Sequence, residues 1–347
     1  MKKIYLKAYL KHNLGDDLFV YIIANRYKNV TFKTILNKNY NLNINNLDVC
    51  KTGFRSKLIT LISLKKYSLE RLLMKKSDAS VLIGGSLFIE KKNELSKKYY
   101  LGEGHPYYIM GSNFGPYKTK QYYDKIYNML KDANDVCFRD KYSYDLFKTL
   151  DNVRIAPDIV FSFDASRFIN NDSKKKVVIS VIDCTNRNIK NNKEKYENKI
   201  IEMINYFQSN DYKVTLMSFC KYEGDEKAID SIISKVNNVE KYYYNGDLNG
   251  ALGLLGESDI IVGSRFHANI LGLVMNKTII PIAYSDKTIN TLNDINFKGR
   301  ILDIRNIDEF DVSTLSDLDL NYKLNIDKYR KEAEKHFKEL DRFLKND

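Results

Sequence analysis

Short runs of consecutive apolar, largely β-branched residues alternate along the chain with longer stretches in which apolar positions recur every three or four residues. The runs fall at residues 3–9, 80–83, 107–110, 136–138, 154–156, 177–182, 213–219, 260–262 and 278–283. Near-continuous apolar runs of this length suit strands covered on both faces, as in parallel sheets, and their alternation with helical spacing predicts an α/β architecture. Helices are expected after the first run, with Leu18, Ile22 and Tyr27 among the apolar positions, and in a lysine-rich stretch ending near Asn210. A terminal helix is expected over residues 327–344, where Tyr329, Ala333, Phe337, Leu340 and Leu344 keep helical spacing. The runs end in small or polar residues, such as Gly84-Gly85-Ser86, residues 111–116, Arg139-Asp140 and Pro157-Asp158, so the strand carboxyl ends should share one loop-lined edge. The apolar pattern lapses at residues 170–176, which marks a linker. The expected organisation is two Rossmann-like domains, residues 1–170 and 171–326, with a cleft between them, followed by a C-terminal helix over 327–347. Ligands of such sheets bind where strand carboxyl ends meet.

At 347 residues the chain is long enough for two cores. Its longest unbroken apolar run, residues 18–24, is far short of the ~20 residues that a membrane-spanning helix needs. The basic start Met1-Lys2-Lys3 has no apolar stretch of signal-peptide type behind it, so a cytoplasmic protein is expected. Cys50, Cys137, Cys184 and Cys220 lie far apart without a C-x-x-C pair, which favours buried free thiols over a metal or redox site. The net charge of +12 comes mostly from lysines scattered along the chain. No helix-turn-helix, zinc-finger or RNP signature accompanies them, so nucleic acid is not the expected partner. Anionic lipid headgroups at the inner face of the membrane, or a lipid-pyrophosphate-linked acceptor, suit the charge at least as well.

Candidate chemistry concentrates at Gly263-Ser264-Arg265-Phe266-His267-Ala268. Arginine supplies only 12 of the 56 basic residues and there are four histidines, yet one of each stands two residues apart at a strand-end turn. A guanidinium grips phosphate or carboxylate bidentately, and an imidazole moves a proton near neutral pH. The plainer alternative is a helix start with a hydrogen-bonded core histidine. Further candidates are Asn13, Gly15 and Asp16 in the turn after the first strand, with Asp16 or Asp17 able to cap the following helix and Gly15 suited to a positive φ. Gly84-Gly85-Ser86 can cradle an anion at a helix N-terminus, although glycine pairs are also common in tight turns. Arg139 is either an anion ligand or the partner of Asp140 in a strand-end salt bridge. Asp158 holds a hinge or orients an arginine. His105 reads as a loop residue, His12 as either core or site, and His336 as a surface residue of the terminal helix.

Several of these segments, in this order, resemble the polysaccharide pyruvyl transferase family: Asn13-Leu14-Gly15-Asp16-Asp17, Ile83-Gly84-Gly85-Ser86-Leu87-Phe88, residues 111–116, Arg139-Asp140 with Ser143, Pro157-Asp158, Arg265-Phe266-His267-Ala268, and Tyr284 with Lys287. The resemblance spans roughly residues 4–290. It implies a GT-B-like fold and transfer of a pyruvyl group from phosphoenolpyruvate to a sugar as a cyclic ketal, in exopolysaccharide, capsule or cell-wall polymer synthesis. It implies phosphoenolpyruvate as co-substrate and a saccharide acceptor; no separate cofactor is expected, and without an H-x-x-E-H motif or a carboxylate cluster of ligand spacing no metal is expected either. The first domain would then be the acceptor side and the second the donor side. Arg265, Arg139 and Lys287 would hold the donor anion, with Asn13 and Gly84-Gly85-Ser86 as further substrate contacts. His267 would be the general acid or, as imidazolium, a phosphate ligand, and Asp16 the base. The chain departs from the family pattern at Asp17, where a glutamate is usual, at Ser86, where a third glycine is common, and at Phe266, where leucine is common. Two rivals remain: a GT-B glycosyltransferase using a nucleotide sugar, and a non-catalytic binding subunit.

Overall fold

The computed structural model describes residues 1–37, 39–40, 42–52, 69–92, 95, 104–170, 175–185, 189–317 and 323–345. The chain divides into two compact units. One comprises Met1–Leu10, Asp16–Ser162 and Arg330–Asp347, and the other Lys11–Gly15 and Phe163–Tyr329.

The first unit is built on a seven-stranded sheet. Its strands are β1 (Lys3–Lys7), β2 (Thr31–Leu36), β3 (Leu47–Lys51), β4 (Ala79–Ile83), β5 (Tyr107–Ser112), β6 (Asp135–Phe138) and β7 (Val153–Ile155), in the order β3-β2-β1-β4-β5-β6-β7. Every pairing is parallel. The central strands β4, β5 and β6 are buried along their whole length, as their apolar runs predict. By contrast β2 alternates half-buried and buried positions, and β3 is largely half-exposed at the sheet edge. Helix Lys120–Lys131 turns Tyr122, Ile126 and Leu130, spaced four apart, onto the sheet. Thr119 caps it, its side chain accepting the Tyr122 amide.

The second unit repeats the plan with β8 (Lys176–Ser180), β9 (Lys213–Ser218), β10 (Glu240–Tyr243), β11 (Ile260–Gly263), β12 (Thr278–Ala283) and β13 (Leu302–Asp303), in the order β10-β9-β8-β11-β12-β13, again all parallel. Helix Lys193–Ser209 buries Tyr196, Ile200, Met203, Ile204 and Phe207 against β8, β9 and β11 residues, while its lysines and glutamates mostly line the other face. Full burial of such side chains contributes about 1.5–3 kcal/mol each. Both units are therefore Rossmann-like. In each sheet the order reverses direction beside the first strand, between β1 and β4 and between β8 and β11, which are the switch points where such sheets open a crevice at their carboxyl edge.

The chain leaves the first unit after Ser162, ahead of the polar stretch expected as a linker, of which residues 171–174 lie outside the described residues. The expected terminal helix is two helices, Asp327–Ala333 and Lys338–Lys345, joined by a 3-10 turn at Glu334–Phe337. From Arg330 onward the segment belongs to the first unit. Arg26 pairs there with Glu334 and Asp341 at 2.5 and 2.9 Å, and the Arg154 guanidinium donates to the Lys335 carbonyl at 2.8 Å. His336, expected at the surface, is completely buried, and its Nε2–H donates to the Pro157 carbonyl at 2.7 Å. Among the described residues no helix is long and apolar enough to cross a membrane. Cys137, Cys184 and Cys220 are buried free thiols, and Cys50 is a half-buried one.

Candidate functional site

In the second unit, Arg265 stands just past the carboxyl end of β11 and begins helix Phe266–Val274. Its backbone amide donates to Ser180 Oγ on the neighbouring β8 at 3.0 Å, which ties the two strands of the switch point together. Only 7% of the residue is exposed. The guanidinium fork is held by carboxylates: Nε donates to Asp225 Oδ2 at 2.9 Å, Nη2 to the other Asp225 oxygen, and Nη1 to Glu223 at 2.5 Å. Burial works against the charge on Arg265, and the Asp225 and Glu223 carboxylates outweigh it, so the group is held even more firmly protonated than usual. Asp225 is fully buried and also accepts the Phe219 and Cys220 amides at 3.0 and 2.9 Å. The preceding residue, Ser264, shares a 2.8 Å bond between its hydroxyl and that of Tyr196.

His267 lies in the first turn of the same helix. The segment Lys11–Gly15 packs against it because the loop after β9 grips that segment. The Leu14 amide donates to the Phe219 carbonyl at 2.9 Å, and Asn13 forms an antiparallel bridge with Cys220. Gly15 then comes so near His267 that an added Cβ would overlap the imidazole. This close approach, rather than a positive φ, is what requires glycine here; in this turn the left-handed residue is His12, with φ of 46°. Helix Leu14–Arg26 starts one turn earlier than capping by Asp16 or Asp17 needs. Asn13 is its cap, with Oδ1 accepting the Gly15 amide at 3.1 Å, and the two aspartates sit in the first turn, where the helix dipole favours negative charge. Lys287, at the start of helix Asp286–Asp294, has its ammonium 5.5 Å from the Phe266 ring centre, and that ring meets the His267 ring edge-on at 5.1 Å. The aromatic residue that departs from the family pattern thus links Lys287 to His267.

In the first unit, the loops after β4, β5 and β7 converge on Arg139, which follows β6. Its Nη1 donates to Asp158 Oδ2 at 2.6 Å and its Nη2 to Asn113 Oδ1 at 3.1 Å, with Arg139 4% and Asp158 1% exposed. Asp158 thus orients the arginine. Asp140, the partner expected for Arg139, instead caps helix Lys141–Phe147, with Oδ1 accepting the Ser143 amide at 2.8 Å and Oδ2 its hydroxyl at 3.0 Å. Gly85 lies against the Arg139 guanidinium, which a Cβ would overlap, and the Gly85 carbonyl accepts the Asn113 amide at 2.8 Å. A Cβ on Gly84, whose φ is 145°, would lie 3.3 Å from Asp16 Oδ1. The glycine turn does not open a helix: Ser86 is followed by extended chain that bridges Phe88 to Phe114. The expected anion cradle at a helix N-terminus is therefore absent at Gly84-Gly85-Ser86.

The structure thus groups Asn13, Arg265, His267 and Lys287 in the second unit, and Asp16, Gly84, Gly85, Ser86 and Arg139 in the first. Sequence reasoning missed Asp225, Glu223 and Asn113, the residues that hold the two arginines. Asp225 and Glu223 flank a glycine after β9, which gives no hint that β9 lies two strands from β11. His105, in its loop, shares a 2.7 Å bond between Nε2 and the Ser80 hydroxyl, and the ring of the half-buried His12 lies tilted against that of Tyr222, centres 5.8 Å apart.

Structures of similar fold include the UDP-GlcNAc 2-epimerase of Neisseria meningitidis (11% identity, 99% of each chain, TM-score 0.58) and that of Methanocaldococcus jannaschii (13% identity, 98% of this chain and 99% of that one, TM-score 0.57). A glycosyltransferase of Rickettsia africae is also similar (13% identity, 99% of each chain, TM-score 0.51). These likenesses establish the two-unit GT-B type of architecture. The family model for polysaccharide pyruvyl transferase matches residues 13–286, a span that opens on the capping Asn13, contains both arginine clusters and His267, and stops one residue short of Lys287. The chain belongs to the polysaccharide pyruvyl transferase family.

Proposed function

We propose that the chain transfers a pyruvyl group from phosphoenolpyruvate to two hydroxyls of a saccharide as a cyclic ketal. The observation that carries this reading is the setting of His267: an imidazole in the first turn of a switch-point helix, with glycine at position 15 and a buried Arg265–Asp225 pair fixing the residue two places before it. The methylene carbon of phosphoenolpyruvate must take a proton, which leaves an oxocarbenium ion at C2. One sugar hydroxyl adds to C2 and gives up its proton. A second hydroxyl then adds as the C2–O bond to phosphate breaks, and its proton balances the leaving group. His267 is the candidate donor of the first proton; its other role would be to hold the donor phosphate as imidazolium. Asp16 is the candidate base for an acceptor hydroxyl.

Arg265 serves first as the anchor of the helix start that presents His267. Its Nη1 side faces Glu223, which is 30% exposed at its side chain, and a donor carboxylate or phosphate enters there by displacing that carboxylate. Lys287 adds positive charge beside Phe266, Asn13 shapes the turn that carries Gly15, and Arg139 is a second anion-recognising group, with the Gly84-Gly85-Ser86 loop beside it as a further substrate contact. The acceptor is a saccharide of surface-polymer synthesis, free or lipid-linked.

The experiment is phosphate release from phosphoenolpyruvate by the full chain with a panel of free and lipid-linked saccharides, with the product's mass checked for the gain of one pyruvate less one water. Release that depends on saccharide and disappears in His267→Ala is expected. No release with any acceptor, combined with thermal stabilisation by UDP-GlcNAc and not by phosphoenolpyruvate, would replace this reading with nucleotide-sugar transfer.

A further inference from the structure

The second unit has a concave site at the end of its sheet opposite the candidate chemistry. Asn276, Lys277 and Thr278 lead into the amino end of β12, whereas the candidate chemistry follows the carboxyl ends of β11 and β12. A cavity of about 490 Å³ opens at this amino edge. Among the described residues its lining carries four cations, Lys277, Lys298, Arg300 and Lys323, and one carboxylate, Asp317, and its apolar wall includes Phe297. Sheets of this type bind their usual ligands at the other edge, so the cavity is not the fold's ordinary site.

Cations outnumber carboxylates among the described residues of its wall. Lys277 is 8% exposed, and its ammonium reaches the Asn170 carbonyl at 3.4 Å, a long contact for a buried group with three protons to place. Burial lowers its proton affinity, Asp259 partly restores it, and the neighbouring Lys323 lowers it again. Burial lowers Lys323 as well, again against the pull of Asp259. Lys323 meets the Thr278 hydroxyl at 3.5 Å. Arg300 is steadier, with Nη1 on Thr314 Oγ1 at 2.9 Å and its guanidinium 4.6 Å from the Phe310 ring centre. Two lysines thus line one partly apolar cavity whose described wall holds a single carboxylate, Asp317. An anion with several oxygens would relieve their repulsion and accept their protons.

We propose that this cavity is a second ligand site that binds a phosphate group through Lys277 and Lys323, the phosphate being carried by a free phosphorylated compound or by a lipid headgroup. Arg300 and Lys298 add to the positive field, and Phe297 supports whatever apolar part the ligand carries. The site stands independently of the transferase reading, because it shares no residue with the carboxyl-edge clusters.

The test uses the full chain and two probes: inorganic pyrophosphate by titration calorimetry, and sedimentation with vesicles of phosphatidylglycerol against vesicles of phosphatidylcholine. Each is repeated with Lys277→Met, with the exposed Lys323→Met, and with His267→Ala to set aside anion binding at the other edge. Loss of one charge-assisted contact should weaken saturable binding about tenfold in either lysine variant, with His267→Ala unaffected. Pyrophosphate binding with this pattern identifies a free phosphate ligand, and the same pattern with phosphatidylglycerol vesicles alone identifies a headgroup. Absence of saturable binding by both probes, or binding that a folded Lys323→Met variant retains in full, overturns the proposal. So does binding abolished by His267→Ala.

Discussion

His336 and Pro157 lie 179 positions apart and are joined by a 2.7 Å bond from the buried imidazole Nε2–H to the Pro157 carbonyl. The next residue, Asp158, holds Arg139, so the returning C-terminal segment buttresses the strand-end loop that orients this arginine. Burial pushes His336 down to about 4 from its ordinary 6.5, and the Pro157 bond and the nearby Asp158 charge only partly offset that. The unfolded chain therefore binds a proton below about pH 6.5 that the folded chain refuses until about pH 4. Stability from this group is complete above pH 6.5 and falls as pH drops through that window, by about 3 kcal/mol in all. Urea unfolding monitored between pH 7 and 4.5 should show this loss. A His336→Leu variant, though less stable at pH 7, should lose this part of the pH slope, and an unchanged slope would show that other groups cause it.

Asp225 accepts from both sides of the Arg265 fork and from two loop amides while fully buried. Asp225→Asn keeps the shape and removes the charge, leaving Arg265 to Glu223 alone. Removing one partner of a buried pair costs about 3–5 kcal/mol. The expected result is a large fall in thermal midpoint at neutral pH, and Glu223→Gln should cost much less because Glu223 is more exposed. Equal losses from the two variants would show that the ion pair does not depend on Asp225.

Gly85 leaves no room for a side chain beside Arg139. Gly85→Ala should displace the guanidinium from Asp158 and Asn113, at about 1–3 kcal/mol of stability. Gly253, within helix Leu248–Gly256, has nothing within 4 Å of an added Cβ. Gly253→Ala should be neutral or stabilising by about 0.5–1 kcal/mol. Denaturant midpoints of the two variants should therefore move in opposite directions.

Most strands that were legible in the sequence are those the fold buries, the half-exposed edge strand β7 being an exception. The runs at β4, β5, β8, β9, β11 and β12 are apolar because both faces are covered, and their ends marked the loop edges correctly. The strands that escaped notice are β2, which alternates, β3 and β10 at sheet edges, and the two-residue β13, where half-exposed positions admit Lys, Asp and Glu. His336 was legible but misread. From Tyr329 it is the seventh position on, the same helical face as Ala333 and Leu340, so the spacing alone placed it on the buried side. What no spacing could supply is which carboxylate meets which arginine. The neighbouring Asp140 was the obvious partner for Arg139, yet it serves as a helix cap, while Asp158 arrives from the next strand end.

Gly15 and His267 give the sharpest separation of packing from chemistry in the candidate site. A methyl group at position 15 cannot coexist with the imidazole where it stands, so Gly15→Ala must turn the ring or push the helix start away. His267→Ala removes the ring and with it the obstacle. The double variant Gly15→Ala/His267→Ala should therefore recover most of the stability that Gly15→Ala loses, about 1–3 kcal/mol, giving a clear non-additive coupling between the two positions. Catalysis should behave differently: each single variant and the double variant should all lack saccharide-dependent phosphate release from phosphoenolpyruvate. Thermal midpoints that simply add across the cycle would show that the two residues do not meet. Restored turnover in the double variant would show that the imidazole is dispensable and that His267 is a packing residue rather than the proton donor.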